Sequence, residues 1–134
     1  MEVLSLRHAT IDQLMKIEDP TINKRAKHII SENDRVLKAV SCLEQEDPIS
    51  FGKLMNSSHH SMRDDYEISS DELNQVVESA NKNGAIGARL TGAGFGGCVV
   101  ILTTNKELPS ISKSVLEECP QAYLVTTISK ELNS

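Results

Sequence analysis

The chain has 134 residues, the length of one domain with one hydrophobic core. Its formal net charge of -5 and its four aromatic residues argue against a nucleic-acid surface, which needs basic groups and stacking rings. No segment approaches the run of about 18 apolar residues that a membrane span requires, and the start, MEVLSLRHAT, does not have the pattern of a signal peptide. We therefore expect a cytoplasmic protein whose three scattered cysteines are reduced and mostly buried.

Two helices are predicted in the first third of the chain. The capping-box spacing of Thr10 and Gln13 predicts a short helix that stops before Pro20. Asp19 followed by Pro20 then marks the start of the longest helix, which runs to about Glu46. Its apolar face follows the helical spacing at Ile22, Ala26, Ile29, Val36, Val40 and Leu43.

Two further helices follow. Asp47 and Pro48 repeat the start signal, and the second long helix is expected to end near the segment RDDYEIS. Ser69 and Glu72 have the spacing of another capping box, which predicts a helix that ends at Asn83 and Gly84.

After Gly84 the pattern becomes extended. Residues 86–91 and 98–103 are predicted to be paired strands, 109–118 a helix and 122–128 a last strand. The fold class is therefore α+β, a two-layer antiparallel sheet with helices on one face, preceded by a helical N-terminal half. An edge strand at 3–6 would make the arrangement similar to a ferredoxin-like fold.

Six of the seven glycines lie between Gly84 and Gly97. Gly92, Gly94 and Gly97 have the spacing of a dinucleotide-binding turn, but a predicted strand follows them where that site needs a helix. The Lys and Ser/Thr of a P-loop are also missing after Gly97. Two interpretations remain, a crowded turn against the chain's own helices or a backbone surface that faces a ligand or another domain's phosphate loop.

A second cluster of polar residues occurs in SSHHSMRDDYEIS. His59 and His60 are adjacent, so on a helix they point about 100° apart and do not face one metal ion; a solvated or capping role is favoured. Arg63, Asp64 and Asp65, with Glu67, could form an acid–base or Mg²⁺ site. The favoured interpretation is a set of caps and ion pairs that anchors the second long helix to the next.

Cys98 follows the glycines directly and could be a nucleophile. No base is placed beside it by the sequence, and a buried strand thiol is the favoured interpretation.

These segments together resemble the C-terminal portion of galactokinases, which belong to the GHMP family of sugar and metabolite kinases. The likeness rests on three motifs in order, K/R-R-x-x-H-x-x-x-E-N in KRAKHIISENDRV, S-x-x-S-x-R-D-D-Y/F-E in SHHSMRDDYEIS, and the third family motif in GARLTGAGFGGCVVIL. It extends through LRHATIDQL and LEQEDPISFGKLM and so covers nearly the whole chain. His8, where relatives commonly carry Asp, and Ala93, where many carry Gly, are mild departures.

The resemblance implies that residues 1–134 are a single domain, the C-terminal domain of an enzyme that uses ATP and Mg²⁺ to phosphorylate galactose. The N-terminal kinase domain, which in this family binds the sugar, the phosphates and the metal, is absent from these residues. We therefore expect no catalytic residue, metal ligand or bound cofactor here, and no activity from this chain alone.

The third motif is implied to lie at the interface with the N-terminal domain, near substrate and nucleotide, where it shapes the site. Its residues are Gly92, Ala93, Gly94, Phe95, Gly96 and Gly97. Galactose and ATP would be bound through the N-terminal domain, and no nucleic acid or membrane partner is expected. A galactokinase-like sugar and ATP sensor and an N-acetylgalactosamine kinase remain as alternatives. An unrelated α+β interaction domain would require the third motif to be a coincidence.

Overall fold

A computed structural model describes residues 18–65, 69–91 and 97–128 of the chain. In chain order, the elements of this part are α1 (Pro20–Glu44), α2 (Pro48–Asp64), α3 (Asp71–Lys82), β1 (Gly87–Thr91), β2 (Cys98–Leu102) and α4 (Leu108–Glu118). The helix predicted before Pro20 and the edge strand predicted at 3–6 lie outside the described residues. None of the described helices combines the length and the apolar character that crossing a membrane would require.

The two Asp-Pro pairs begin α1 and α2 as predicted. The carboxylate of Asp19 accepts hydrogen bonds from the backbone N–H groups of Thr21 and Ile22, at 2.9 and 3.1 Å. Asp47 accepts one from Ser50 N at 3.1 Å. Each aspartate therefore satisfies free donors of the first turn, and the proline after it fixes a helical φ.

The start of α3 differs from the prediction by one residue. Ser70 is the N-cap, and its Oγ accepts the backbone N–H of Leu73 at 3.2 Å. The hydroxyl of Ser69 instead donates to Asn74 Oδ1 at 2.7 Å. The predicted capping box was therefore wrong, because two consecutive serines offer the same local signal. The end of the helix is as predicted, with Gly84 at a φ of +104°.

The apolar face of α1 is only partly buried. Ala26 and Ile30 are in the core, whereas Ile22, Val36 and Leu43 are 57%, 55% and 65% exposed. The helical period is therefore correct, but only part of the apolar stripe is buried in the described part of the chain. An apolar face is buried only where a second element covers it.

The two strands pair in antiparallel fashion, with register from Gly87↔Leu102 to Thr91↔Cys98. One face of this sheet rests on α3 and α4, as the predicted α+β class requires. Among the described residues, Val77, Ala80, Ala88, Ile111 and Val115 form one buried cluster at this face, and Met62, Leu73 and Leu90 form another.

The last predicted strand is absent. Residues 122–128 form no ladder with either described strand, and Tyr123, Val125 and Ile128 are 81%, 71% and 94% exposed. A β-branched sequence has strand propensity, but a strand requires a neighbour that completes its hydrogen bonds. The sheet of the described residues therefore has two strands, where three or four were predicted.

Candidate functional site

The two strands lead into and out of the glycine-rich motif. Thr91 is the last residue of β1, Cys98 is the first of β2, and the two are register partners. Gly97, which is partly exposed, is the one predicted site residue that the structure describes. Gly92, Ala93, Gly94, Phe95 and Gly96 lie outside the described residues. The strand after Gly97 confirms the argument against a dinucleotide-binding turn, which would need a helix at this place.

Side chains of α2 accept hydrogen bonds from the outer edge of β1, the edge that does not pair with β2. Asn56 Oδ1 accepts the backbone N–H of Ala88 at 3.0 Å, and one turn later His59 Nδ1 accepts that of Leu90 at 3.2 Å. Alternate amides along a strand point to the same side, so residues three apart on a helix can reach both. The end of β1 is thus held by α2 on one side and by β2 on the other.

His59 is a buried member of this edge and not the solvated or capping residue that the sequence indicated. His59 is only 1% exposed, whereas its neighbour His60 is exposed. His59 Nε2 lies 2.9 Å from Asn74 Oδ1. Burial lowers the pKa of His59, and the positive charges of Arg63 and Arg89 act in the same direction.

Glu32 of α1 connects three elements. Ser58 Oγ lies 2.7 and 2.9 Å from the two Glu32 carboxylate oxygens and donates to them. Arg89 of β1 forms an ion pair with Glu32 at 3.5 Å, and Arg35 forms another at 3.3 Å. Arg89 Nε also donates to Leu90 O at 3.0 Å. One carboxylate therefore ties α1, α2 and the strand that enters the glycine motif.

A second connection between α1 and α2 involves His28. Its Nδ1 lies 2.8 Å from Ser61 Oγ, and this hydroxyl donates to Asp65 Oδ2 at 3.2 Å. A serine hydroxyl has one proton, so His28 Nδ1 is the donor in the first bond. Burial is the largest cause of a lowered pKa for His28. Arg25 Nη1 donates to Asp65 O at 3.1 Å, and Lys27 pairs with the Asp65 carboxylate at 3.8 Å.

The sequence did not predict these pairings, although it contains a signal for them. His28 and Glu32 are four residues apart on α1, and Ser58 and Ser61 are three apart on α2. Both spacings place side chains on one face of a helix. Two such polar faces in successive helices joined by a short connection can meet in an antiparallel hairpin.

The acidic residues at the end of α2 are engaged by cations, as the favoured interpretation predicted. Arg63 Nε and Nη2 donate to Asp64 at 2.9 and 3.0 Å, and this contact is the main cause of the lowered pKa of Asp64. For Asp65 the predicted partner helix was wrong, because Asp65 binds Arg25 and Lys27 of α1 rather than α3. Glu67 lies outside the described residues.

The described residues offer no metal site. Among residues 18–65, 69–91 and 97–128, no group of three or more His, Cys, Asp or Glu side chains is close enough together to bind a metal ion.

The cysteines differ in exposure. Cys119 is buried and Cys42 is intermediate, but Cys98 is exposed, so the expectation that it is a buried strand thiol was wrong. Burial raises the pKa of the Cys119 thiol. Cys98 is the first residue of β2 on the face opposite the helical core, which explains why no element of the described chain covers it.

A cleft of about 270 Å³ lies beside this opposite face of the sheet. Thr91 and Val100 border it from the strands, and α1 and α2 supply both polar and apolar walls. The polar wall is the Glu32 network, formed by Glu32 with Arg35, Ser58 and Arg89. The apolar wall includes Phe51 and Leu54. The cleft thus adjoins the entrance to the glycine motif.

The chain resembles known proteins over most of its length. Residues 39–121 match the family model described as GHMP kinases C terminal. The galactokinase of Clostridium beijerinckii is 52% identical over 103 residues, which cover 76% of this chain and 26% of that protein. The galactokinase of Haemophilus influenzae is 41% identical over 139 aligned positions, which cover 96% of this chain and 35% of that protein.

Two solved structures have a similar fold. The galactokinase of Lactococcus lactis, solved as a complex with galactose, has a TM-score of 0.84 and 35% identity, and the match covers 90% of this chain and 32% of that one. The mevalonate kinase of L. major, solved with R-mevalonate, has a TM-score of 0.68 and 26% identity, with 87% and 37% covered.

The chain spans about a quarter to a third of the length of the curated relatives described above. The matched family model covers more than half of the chain, and it spans the second and third motifs of the sequence. The chain therefore belongs to the GHMP kinase family and corresponds to the C-terminal domain of that family.

Proposed function

We propose that this chain is the C-terminal domain of a galactokinase, an enzyme that transfers the γ-phosphoryl group of ATP to galactose and releases ADP. The observation that carries the proposal is the likeness to galactokinases, which at 41% identity extends over 96% of the chain. The solved galactokinase with galactose supports the same substrate class. The mevalonate kinase has a similar fold but acts on a different acceptor, so the fold alone does not select the sugar.

The geometry of the described residues supports a positioning role for this domain. Phosphoryl transfer depends mainly on alignment of the reactants and on stabilisation of charge by fixed dipoles and metal ions. A glycine-rich turn between two paired strands can bring backbone N–H groups close to a phosphate or sugar without side chains in the way. We assign this role to the motif Gly92–Gly97, and we assign proton transfer and Mg²⁺ binding to the N-terminal domain.

The remaining parts of the proposal concern the whole protein. Residues 1–134 act as one domain that binds its own N-terminal kinase domain and, with it, encloses galactose, ATP and Mg²⁺. The exposed Cys98 and the other two free thiols are in keeping with a reducing compartment, and we place the enzyme in the cytoplasm.

The proposal is tested with a chimera. The segment of the Clostridium beijerinckii galactokinase that aligns with this chain is replaced by this chain, and ADP release is measured with galactose, N-acetylgalactosamine, mevalonate or no acceptor. We expect ADP release that depends on galactose, and none from the 134-residue chain alone. A folded chimera that is inactive with galactose, or that prefers another acceptor, would refute the assignment.

A further inference from the structure

The ring of His59 fills a buried position between three elements. It lies on α2, its Nε2 is 2.9 Å from Asn74 Oδ1 on α3, and its Nδ1 is 3.2 Å from the backbone nitrogen of Leu90 on β1. Ser69 Oγ donates to the same Asn74 oxygen at 2.7 Å. Both ring nitrogens of His59 therefore have partners within hydrogen-bond distance.

These contacts determine the tautomer of the ring. The Leu90 N–H can only donate, so His59 Nδ1 must accept and carries no proton. The proton of the neutral ring is then on Nε2, from which it is donated to Asn74 Oδ1. The Nε2–H group can only donate, so it requires the oxygen of the Asn74 amide at this place, and the Ser69 hydroxyl donates to the same oxygen.

The Leu90 amide has few alternatives to this acceptor. Leu90 is 0% exposed, so water does not replace a lost partner at its backbone nitrogen. Its register partner on β2 is Val99, one pair before the Thr91 and Cys98 pair that frames the glycine motif. A buried N–H without an acceptor destabilises the fold, so the strand would shift to find one. The position of the last residues of β1 therefore depends on the His59 ring.

We propose that His59 is a positioning residue for the end of β1, the strand from which the chain continues into the glycine-rich motif, and that it acts through the backbone N–H of Leu90. This inference rests on the proposed function, because it concerns the motif that is assigned to the phosphoryl-transfer site. We assign His59 an indirect role, through Leu90 and Thr91, the last two residues of β1. Displacement of a reacting group by about 1 Å can reduce turnover about 100-fold, so a loosened strand end should lower kcat.

Two substitutions separate the two bonds of the ring. The side-chain oxygen of Asn in His59→Asn lies near the place of Nδ1 and can still accept from Leu90 N. The longer side chain in His59→Gln reaches the place of Nε2 and can still donate to Asn74, but it leaves the Leu90 amide without its acceptor. Asn56→Ala is the matched control, because Asn56 holds the Ala88 amide in the same way, two residues further from the motif.

Kinetics are measured in the chimera with the Clostridium beijerinckii galactokinase, and thermal unfolding is measured for the same variants. We expect His59→Gln to lower kcat by about 10- to 100-fold and His59→Asn to stay within about threefold of the unsubstituted chimera. Asn56→Ala should lower kcat less than His59→Gln does, because the amide that it frees is two residues further from the motif. Equal kcat for His59→Gln and His59→Asn would overturn the inference, as would a loss of kcat for Asn56→Ala as large as that for His59→Gln. An inactive unsubstituted chimera would instead refute the proposed function.

The bond itself is tested in the 134-residue chain by nitrogen NMR, which needs no activity. We expect an unprotonated Nδ1 and a protonated Nε2 for His59, and a Leu90 amide that is protected from exchange and loses that protection in His59→Gln. A protonated Nδ1 at neutral pH would overturn the inference whatever the kinetics give.

Discussion

Gly52 on α2 and Gly87 on β1 mark the place where a helix and a strand touch backbone to backbone. A Cβ built at Gly52 would lie against the carbonyl group of Ile86, 2.6 Å from its carbon, and one at Gly87 would lie 2.5 Å from Gly52 Cα. Cβ contacts under 3.0 Å essentially never occur, and these neighbours are main-chain atoms that cannot rotate away. In Gly52→Ala, α2 must therefore move away from β1.

Two effects of opposite sign decide the stability of Gly52→Ala. Alanine is favoured over glycine in a helix interior by about 1 kcal/mol. Overpacking costs about 1–3 kcal/mol, and a displaced helix also weakens the bonds from Asn56 and His59 to β1, each with a net contribution of about 1 kcal/mol. The sum is a loss of about 2 kcal/mol, which for a chain of this size corresponds to a Tm lower by about 6–10 °C.

The measurement is urea unfolding of the 134-residue chain, followed by circular dichroism. Ser57→Ala is the matched control, because Ser57 is exposed on the same helix and its replacement should change the free energy of unfolding by less than about 0.5 kcal/mol. If Gly52→Ala were as stable as the parent chain with the same m-value, helix propensity would outweigh the contact and the close approach of α2 to β1 would be wrong.

Two further predictions concern charged groups. Glu32→Ala should lower the free energy of unfolding by about 2–3 kcal/mol, because Arg89 loses its carboxylate partner. Asp34→Ala removes an exposed ion pair on the same helix and should lower it by less than about 0.5 kcal/mol, so equal losses in urea unfolding would contradict the prediction. Burial lowers the pKa values of His28 and His59 in the folded chain, so the unfolded chain binds protons at a higher pH than the folded chain does. The free energy of unfolding should therefore fall as the pH decreases below about 6.5; urea unfolding at several pH values measures this, and a flat profile would refute it.

The sequence predicted the features that depend on neighbouring residues. Asp19 and Asp47 are followed by proline and mark helix starts, because the capping group and the donors that it satisfies are within three residues. The strand pair around the glycines was predictable for a similar reason, since its two strands are close in sequence. Where two local signals competed, as at Ser69 and Ser70, the choice between them was wrong by one residue.

The features that depend on distant residues were not predictable in this way. Hydropathy gives the period of α1 but does not say that Val36 and Leu43 remain exposed, because that depends on which element covers them. The β-branched segment near Val125 has strand propensity, but its state is decided by the presence of a neighbouring strand edge. His59 is polar and adjacent to a second histidine, and only the approach of β1 makes it a buried acceptor.

The first two motifs and the strand that leads into the third form one connected unit in the described part of the chain. Glu32 of the first motif binds Ser58 of the second and Arg89, which precedes the third, and His59 of the second motif binds Leu90. A substitution in the first two motifs can therefore reduce activity without any contact between its side chain and substrate. A measurement of stability distinguishes a loss of the Glu32 network from a loss of the bond between His59 and Leu90. The first should lower activity because the chain unfolds, whereas the second should lower kcat in a chain that is still folded.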